Sequence, residues 1–585
     1  MNKIIVRRRP ENTAEFSSQL HPVLARIYAS RLLTSDRDLE YSLQHLLPYD
    51  ALAGIEQAVD LLESALRDSR RILIVADFDV DGATSCAVTI RALRLMGATD
   101  VRYIVPNRFE FGYGLTPEIV AVAAQQQPDL LITVDNGISS IEGVTSAKRH
   151  GMHVLITDHH LPGAELPAAD AIVNPNQPGD TFASKHLAGV GVAFYVMLAL
   201  RARLRSSGWF QQQQLNDPNL GQLLDYVALG TVADVAILDR NNRLLIAQGL
   251  QRIRRGNCAP GIKALFHVAG RNPTGLVAAD LGFVIGPRLN AAGRLDDMSL
   301  GIECLLSDSF EKAFPLAQRL DELNRERRVI ENDMKEQALE SLDLALLDDT
   351  RDQLPLGLCL FNESWHQGVI GILAARIKEH THRPVVVFAV YDGDGSPSDI
   401  LKGSARSIPG LHIRDVFEAV ATRHPGLIEK FGGHAAAAGL SLQRQNLESF
   451  REAFLEELAH HLTSDDLQGV IYSDGELKPE DIDLELAEIL REAGPWGQGF
   501  PEPVFDGIFR IMTRRTVGGR HLKMQLRLPD DQRSFEAIAF NTSDAAWPDG
   551  ELTTQVAYRL DVNEYRGRRL PQLIVEHIAP LSTTG

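Results

Sequence analysis

Cysteine is scarce in this chain: there are four among 585 residues, Cys86, Cys258, Cys304 and Cys359, and no two form a CxxC pair. That argues against a disulfide framework and a structural zinc site. It fits a reducing compartment, with the thiols serving as small buried apolar residues. Long apolar runs are missing too. The longest candidate, Val190–Leu200, falls well short of the roughly 20 residues that span a bilayer, and it contains Gly191. The opening MNKIIVRRRP is basic but lacks an apolar stretch, so no secretory signal and no membrane association are expected, and the expected location is the cytoplasm. Neither GxxxxGK followed by Ser or Thr nor GxGxxG occurs, which argues against a regulator that works by binding nucleotides. No solenoid-type repeat is present. Positive charge is in deficit, with a net charge of −18. Such a body does not coat a polyanion through bulk charge. Any contact with one must be a local basic groove, and metal ligands would account for part of the acidity.

What is present is a punctuated α/β pattern, long enough for roughly three or four domains. Residues 1–50 read as an irregular, partly helical lead-in. From Arg70 the apolar runs RILIVADFDVDG, VRYIVPNR, DLLITVDNG and HVLITDHH alternate with helical stretches near 83–96, 117–126 and 141–150. Strands and helices in alternation predict a parallel sheet covered on both faces. A mainly helical stretch follows to about residue 310, interrupted by a polar loop at Gln211–Gln214. Residues 310–346 predict one long charged helix that includes an early Pro315, then holds many strong helix formers and no Gly, and is suited to connecting domains. A second, smaller α/β unit begins near Leu356, and short strand-like runs from Val504 predict a small β-barrel. The expected divisions are 1–50, 51–310, 311–346, 347–465 and 466–585.

The acids fall in a telling place. Asp77, Asp79 and Asp81 follow RILIVA, Asp135 follows LLITV, and Asp158, His159 and His160 follow HVLIT. Each cluster ends a predicted parallel strand, the edge where open α/β sheets bind ligands. If the first strand stays extended, Asp77, Asp79 and Asp81 share a face and converge. Bare carboxylates brought together repel, and divalent cations resolve the conflict. Mixed Asp and His ligands suit Mn²⁺ or Mg²⁺. One Asp bridging two ions about 3.5–4 Å apart would make a two-metal phosphodiester site, with one ion activating a water and both stabilising phosphoryl charge. Taken singly these residues are ordinary: DxDxDG lacks the glutamate of a calcium loop, and a lone Asp at a strand end is commonly a helix cap. Their repetition after successive strands favours the metal site.

ADFDVDG, TVDNG and TDHH resemble the ordered motifs of the DHH phosphoesterase superfamily, and LDYVALGTVADVAIL resembles its fourth. FGGHAAAAG (Phe431–Gly439) resembles the associated second domain, called DHHA1. FVIGPRLNAAGRLDD (Phe283–Asp297), ESWHQGVIGILAARI (Glu363–Ile377) and KGSARSIPGLHI (Lys402–Ile413) resemble one branch in particular, the RecJ family. The resemblance implies a DHH catalytic domain over 51–310, a DHHA1-like domain over 347–465 and an OB-like barrel over 466–585. It implies 5′-to-3′ exonuclease action on single-stranded DNA, releasing 5′-mononucleotides with two Mn²⁺ or Mg²⁺ ions, in repair and recombination. A helicase and a single-strand-binding protein would supply the strand to a monomeric enzyme. The implied metal ligands are Asp77, Asp79, Asp81, Asp135, His159 and Asp234, with His160 at the scissile phosphate or orienting a ligand. Where some members carry a His this chain has Val75, and Asp77 is the natural substitute.

An exonuclease also needs an end-reader and a track. Candidates for the nucleic acid and its 5′-phosphate are Arg108, Arg288, Asn290, Arg294, Ser404, Arg406, Gly433 and His434. Arg510, Arg514, Arg515, Arg520, Lys523 and Arg527 cluster in the first strands of the barrel, with Arg514 and Arg515 expected to lie on the track. Tyr558, Tyr565 and Phe540 are candidate stacking platforms, core packing being the better expectation for Phe540, and Trp496 is expected to pack a linker. Two further functions compete: a DHH phosphodiesterase for short oligonucleotides or cyclic dinucleotides, which would need no added barrel, and a non-catalytic DNA-binding scaffold, which would lack the acids.

Overall fold

The computed structural model describes residues 3–9, 14–106, 114–348, 354–391, 399–463, 465–519, 521–542, 553–565 and 567–580. Its contacts divide into two compact units, a smaller one built chiefly of Glu322–Val470 and a larger one of Ile5–Gly293, Asp297–Asp321 and Ile471–Gly585.

In the larger unit five strands form an all-parallel sheet in the order Val101–Ile104, Ile72–Ala76, Leu130–Val134, His153–Thr157, Ala171–Val173. Ile72–Ala76 and Leu130–Val134 are buried at every residue, because helices cover both faces of the sheet and leave no polar side to alternate. The strand order reverses between these two, so a crevice opens at their carboxyl ends, where Asp77 and Asp135 follow. Helix Val80–Leu95 is buried at thirteen of its sixteen residues. It packs against the sheet and against helices Gly189–Ser206 and Leu224–Ala233, which explains burial on nearly every face and a composition of small and apolar residues with a few buried polar ones, Asp81, Thr84, Ser85 and Thr89. Among the described residues no helix is long and apolar enough to cross a membrane.

Helix Val80–Leu95 starts earlier than its sequence predicts, at Val80 rather than residue 83. The reason is local: the Asp79 carboxylate accepts from the Gly82 amide at 3.1 Å and caps the helix. The strand stops at Ala76, so Asp77, Asp79 and Asp81 do not share a strand face. They occupy a turn, a cap and a first helical turn.

The same unit holds a closed barrel in the order Phe505–Val517, His521–Arg527, Ser534–Ala539, Arg568–Pro580, Thr553–Tyr565. Its core contains the rings of Phe505, Phe509 and Tyr558. The segment leading to it is held by the beginning of the chain. Tyr28 stacks on Trp496 at 6.0 Å, Trp496 stacks on Phe500 at 5.0 Å, and the Arg31 guanidinium grips the Asp474 carboxylate with both side chains at most 1% exposed. Trp496 thus packs the linker, as expected.

The smaller unit carries strands in the order Lys430–Gly433, Ala437–Gln443, Ile400–Arg406, Val385–Val390, Leu358–Phe361, with only the last pair parallel. The period-two rule is visible in one strand. Val385, Val387 and Ala389 pack with helix Ile370–Thr381, while Val386 and Phe388 pack with helices Ile413–Arg423 and Leu447–His461. The long helix runs from Phe310 to Asp348 with Pro315 in its second turn, as the sequence predicts, and ends two residues later than expected.

Replacing Arg31 by Ala strips Asp474 of its main counter-charge; Arg8, at 3.5 Å, remains. The expected cost is about 3 kcal/mol, read as a lower midpoint in denaturant unfolding. A midpoint equal to that of the wild type contradicts this account of the anchor.

Candidate metal centre

Each acid reaches the crevice by a separate backbone device. The Asp77 amide donates to Val134 O at 3.3 Å, the Asp135 amide to Thr157 O at 3.0 Å and the Asp158 amide to Val173 O at 3.1 Å, so each prolongs its ladder by one bond. Asp135 then turns with φ at 62°, a left-handed conformation that Asp tolerates. Asn136 donates to Val75 O and Val134 O and ties the two strands flanking the crevice. Asp81 receives the amides of Gly189 at 2.7 Å and Val190 at 2.9 Å, at the start of helix Gly189–Ser206. A Cβ on Gly189 would lie 2.7 Å from Asp135 Oδ1, so only glycine lets that helix approach.

The side chains converge. His159 Nε2 lies 3.1 Å from Asp135 Oδ1 and 3.9 Å from both Asp81 Oδ2 and Asp234 Oδ2. Three sets have ligand atoms within 4.8 Å of one another: Asp77, Asp79 and Asp135; Asp81, His159 and Asp234; Asp135, His159 and His160. Asp135 belongs to two of them. At such spacing two carboxylates repel by about 3–4 kcal/mol at an effective dielectric near 20. Burial and that repulsion push protonation up. Burial first, then Asp79, raise the Asp81 carboxyl to about 7. Asp135 and Asp234 are pushed well above the usual carboxylate range by burial and then by Asp81. Burial would lower the His160 imidazole, but its hydrogen bond to Asp158 Oδ1 at 2.7 Å and the surrounding acids outweigh that and raise it to about 9. Oxygen and imidazole donors crowded in this way fit divalent cations.

Sequence reasoning missed the supports. Asn174 Nδ2 holds His160 O at 2.9 Å and Asn176 Nδ2 holds His159 O at 2.6 Å. Both follow the short strand Ala171–Val173, the same edge position as the acids, and that was the available signal.

Three family models match: the DHH family N-terminal domain over residues 71–231, the DHHA1 domain over 356–460 and the RecJ OB domain over 473–577. A single-stranded-DNA-specific exonuclease RecJ from Dickeya dadantii is 55% identical over 577 residues, covering 98% of this chain and 99% of its own. The chain belongs to the RecJ family. Two crystal structures of RecJ from Thermus thermophilus share its fold. The complex with Mn²⁺ matches with a TM-score of 0.77 at 29% identity, over 96% of this chain and 76% of that one. The complex with Mg²⁺ matches with 0.70 at 28%, over 96% and 75%. The parallel-sheet domain, the second α/β domain and the OB barrel expected from the sequence are the RecJ-family fold.

The remaining candidates are dispersed. Arg108 and Arg520 lie outside the described residues. Arg288 is 9% exposed; its Nε donates to Asp321 at 2.9 Å and its Nη1 to Val284 O, a placement that ties two helices together. Asn290 Oδ1 accepts the Val80 amide at 3.2 Å and so steadies the turn that carries Asp79. Arg294 Nη1 donates to Gly368 O at 3.2 Å. Gly433, at φ 136°, closes a hairpin in which the exposed His434 donates its amide to Ala437 O. Ser404 and Arg406 share one face of their strand, 3.3 Å apart, and crowd Gly371 in the first turn of helix Ile370–Thr381.

In the barrel Arg514 and Arg515 are neighbours on one strand and leave it on opposite faces. Arg514 pairs with the buried Met524 and faces the inner side, whereas Arg515 pairs with Lys523 and faces outward with the cross-strand pair Arg510 and Arg527. The outward basic row is therefore Arg510, Arg515, Lys523 and Arg527. Tyr558, 1% exposed, is core rather than platform. Phe540, expected in the core, is 52% exposed because it lies at the end of its strand, beside His521.

Asp81 holds its proton more tightly folded than unfolded, so without metal the folded state loses stability as pH rises from the ordinary carboxylate range toward 7. Divalent cations compete with those protons. The increase in melting temperature on adding Mn²⁺ should therefore be larger near pH 8 than near pH 5. Equal increments at both would contradict this picture.

Proposed function

We propose that this chain degrades single-stranded DNA from its 5′ end by hydrolysing phosphodiesters, with Asp77, Asp79, Asp81, Asp135, His159 and Asp234 holding two divalent cations, Mn²⁺ or Mg²⁺. The observation that carries the reading is the convergence of these groups, with His160, within 4.8 Å in overlapping sets at the crevice. Asp135 and His159 each belong to two of these sets, and Asp135, with two carboxylate oxygens to the single free nitrogen of an imidazole, would be the residue able to serve both cations. When bound, such cations supply an activated water and neutralise charge on the phosphoryl oxygens. The protein's own groups do the rest. Asp158 accepts from His160 Nδ1 and fixes the ring, and the imidazolium that this pairing favours has a second N–H, at Nε2, to donate to a phosphoryl oxygen. Asp79 holds its own helix start in place, and Asn174 and Asn176 hold the two histidines' backbone.

Arg406, Ser404 and the amides opening helix Ile370–Thr381 form a fitting cradle for a 5′-phosphate: a guanidinium fork, a hydroxyl and a helix N-terminus. Burial pulls the Arg406 guanidinium down from its ordinary value, and among the described residues no carboxylate is within ion-pairing reach of it. The outward row on the barrel suits a strand's phosphates, since two directly opposed arginines destabilise a sheet unless an anion lies over them. The same reading has a helicase and a single-strand-binding protein exposing the substrate for a monomeric, cytoplasmic enzyme.

Asp79→Ala and Asp135→Ala should each lower digestion of end-labelled single strands at least about 100-fold while strand binding survives. Full activity of either would refute the metal assignment. Arg406→Ala should reduce the preference for 5′-phosphorylated over 5′-hydroxyl ends by roughly 10- to 100-fold, whereas equal loss on both ends places its role elsewhere. Removing Arg510 and Arg515 together should flatten the slope of log affinity against log salt by about 1.4, and removing Arg514 should change it less.

A further inference from the structure

Helix Leu224–Ala233 delivers Asp234, and the next residue breaks a backbone rule. Val235 is β-branched, stands at φ 59° and is 64% exposed. Such strain persists where the surrounding structure imposes it, and it concentrates at functional sites. The Val235 side chain lines a cavity of 760 Å³, whose wall also includes Val232, Ala236, Leu238 and Phe283. Phe283 is 79% exposed, more than any other large apolar side chain among the described residues. It sits at the centre of a π-helical turn, Leu281–Ile285, whose two end residues are completely buried. The wider turn rotates Phe283 off the packed face while its neighbours anchor it, an arrangement frequent at functional sites. The turn is pressed against the helix that carries Asp234, since a Cβ on Gly282 would lie 3.2 Å from Val232 Cγ1.

The charges around this cavity balance: Arg254, Arg271, Arg491 and Arg559 against four carboxylates. It therefore has no net pull on a phosphate chain. What it offers is an exposed ring and aliphatic walls beside a candidate metal ligand, which is the environment of a base rather than of a backbone. We propose that the cavity receives nucleobases of the strand lying in the metal centre, with Phe283 as the stacking platform and Val235 closing the side next to Asp234. This rests on the exonuclease reading above and adds to it where the bases go. The ring would help the strand keep its register after each cut, because a stacked base must be released before the next phosphate can advance.

The test is steady-state digestion, with Mn²⁺, of 5′-phosphorylated oligonucleotides that are intact or carry one abasic site walked along the first several positions. For the wild type, the abasic site should raise KM by roughly 5- to 150-fold at one or two positions, the range for one stacked base. Phe283→Ala should raise KM on the intact strand by a similar factor, leave kcat nearly unchanged and abolish the dependence on abasic position. Phe283→Leu should behave like Phe283→Ala, and Phe283→Trp should restore both affinity and position dependence. An active wild type whose Phe283→Ala variant keeps the same KM, or keeps the same abasic profile, overturns the proposal and leaves the exonuclease reading standing. A wild type that cuts no single strand sinks that reading and this one with it. A variant that differs only in self-association on sedimentation assigns the ring to a second copy of the chain, and that too overturns it.

Discussion

Mutual repulsion of carboxylates is the constraint around which the sheet's carboxyl edge is organised. Asp77, Asp79, Asp81, Asp135 and Asp234 are drawn into one crevice, and Asp77, Asp79 and Asp135 bring ligand atoms within 4.8 Å of one another. Each close pair costs a few kcal/mol, a sizeable share of the roughly 5–15 kcal/mol by which a domain is stable. The edge contains several compensations. Amides at a helix start neutralise Asp81, a second helix start is capped by Asp79, and Asp158 is satisfied by three backbone amides and the His160 ring. The remaining excess shows as raised proton affinity at Asp81, Asp135 and Asp234. A site that grips protons this firmly is poised to exchange them for cations.

Close packing makes those compensations possible. Glycine stands at two places where a helix presses on an acid of the crevice, Gly189 against Asp135 and Gly230 against Asp81. Gly230 sits so near helix Val80–Leu95 that a Cβ would lie 2.2 Å from Thr84 Oγ1 and 2.9 Å from Asp81 Oδ1. With Gly189 it lets two helices close over the carboxylates from behind, so that the charged groups face only the crevice. Low polarity on the closed side strengthens every interaction on the open side.

The strands of the catalytic sheet were legible in the sequence because burial on both faces makes each a continuous apolar run, and the acids were legible because they end those runs. The exact setting of Asp81 was not, since the choice between a longer strand and an earlier helix turned on one cap, Asp79. Nor was the sidedness of the barrel arginines: a bulge between Ile511 and Thr513 shifts the alternation, and clustering in sequence says nothing about which face a residue takes. Phe540 and Tyr558 exchanged their expected settings for a similar reason, as one is at a strand end and the other at mid-strand in a closed barrel. The supports Asn174 and Asn176 were hidden behind a strand of only three residues. Phe283 stands at the head of a recognisable motif, but its exposure depends on a π-turn that has no compositional signature.

The pairing of Arg31 with Asp474 spans 443 residues of chain. At a synthesis rate of about 5–20 residues per second, the arginine leaves the ribosome roughly 20–90 s before its carboxylate exists. Through that interval Tyr28, whose stacking partners Trp496 and Phe500 come later still, has no aromatic neighbours from that segment to cover it. A nascent chain of this protein must therefore carry an unfinished apolar seam for most of its translation, and chaperones that hold exposed hydrophobic surface would meet it at helix Pro22–Ala29, which carries Tyr28.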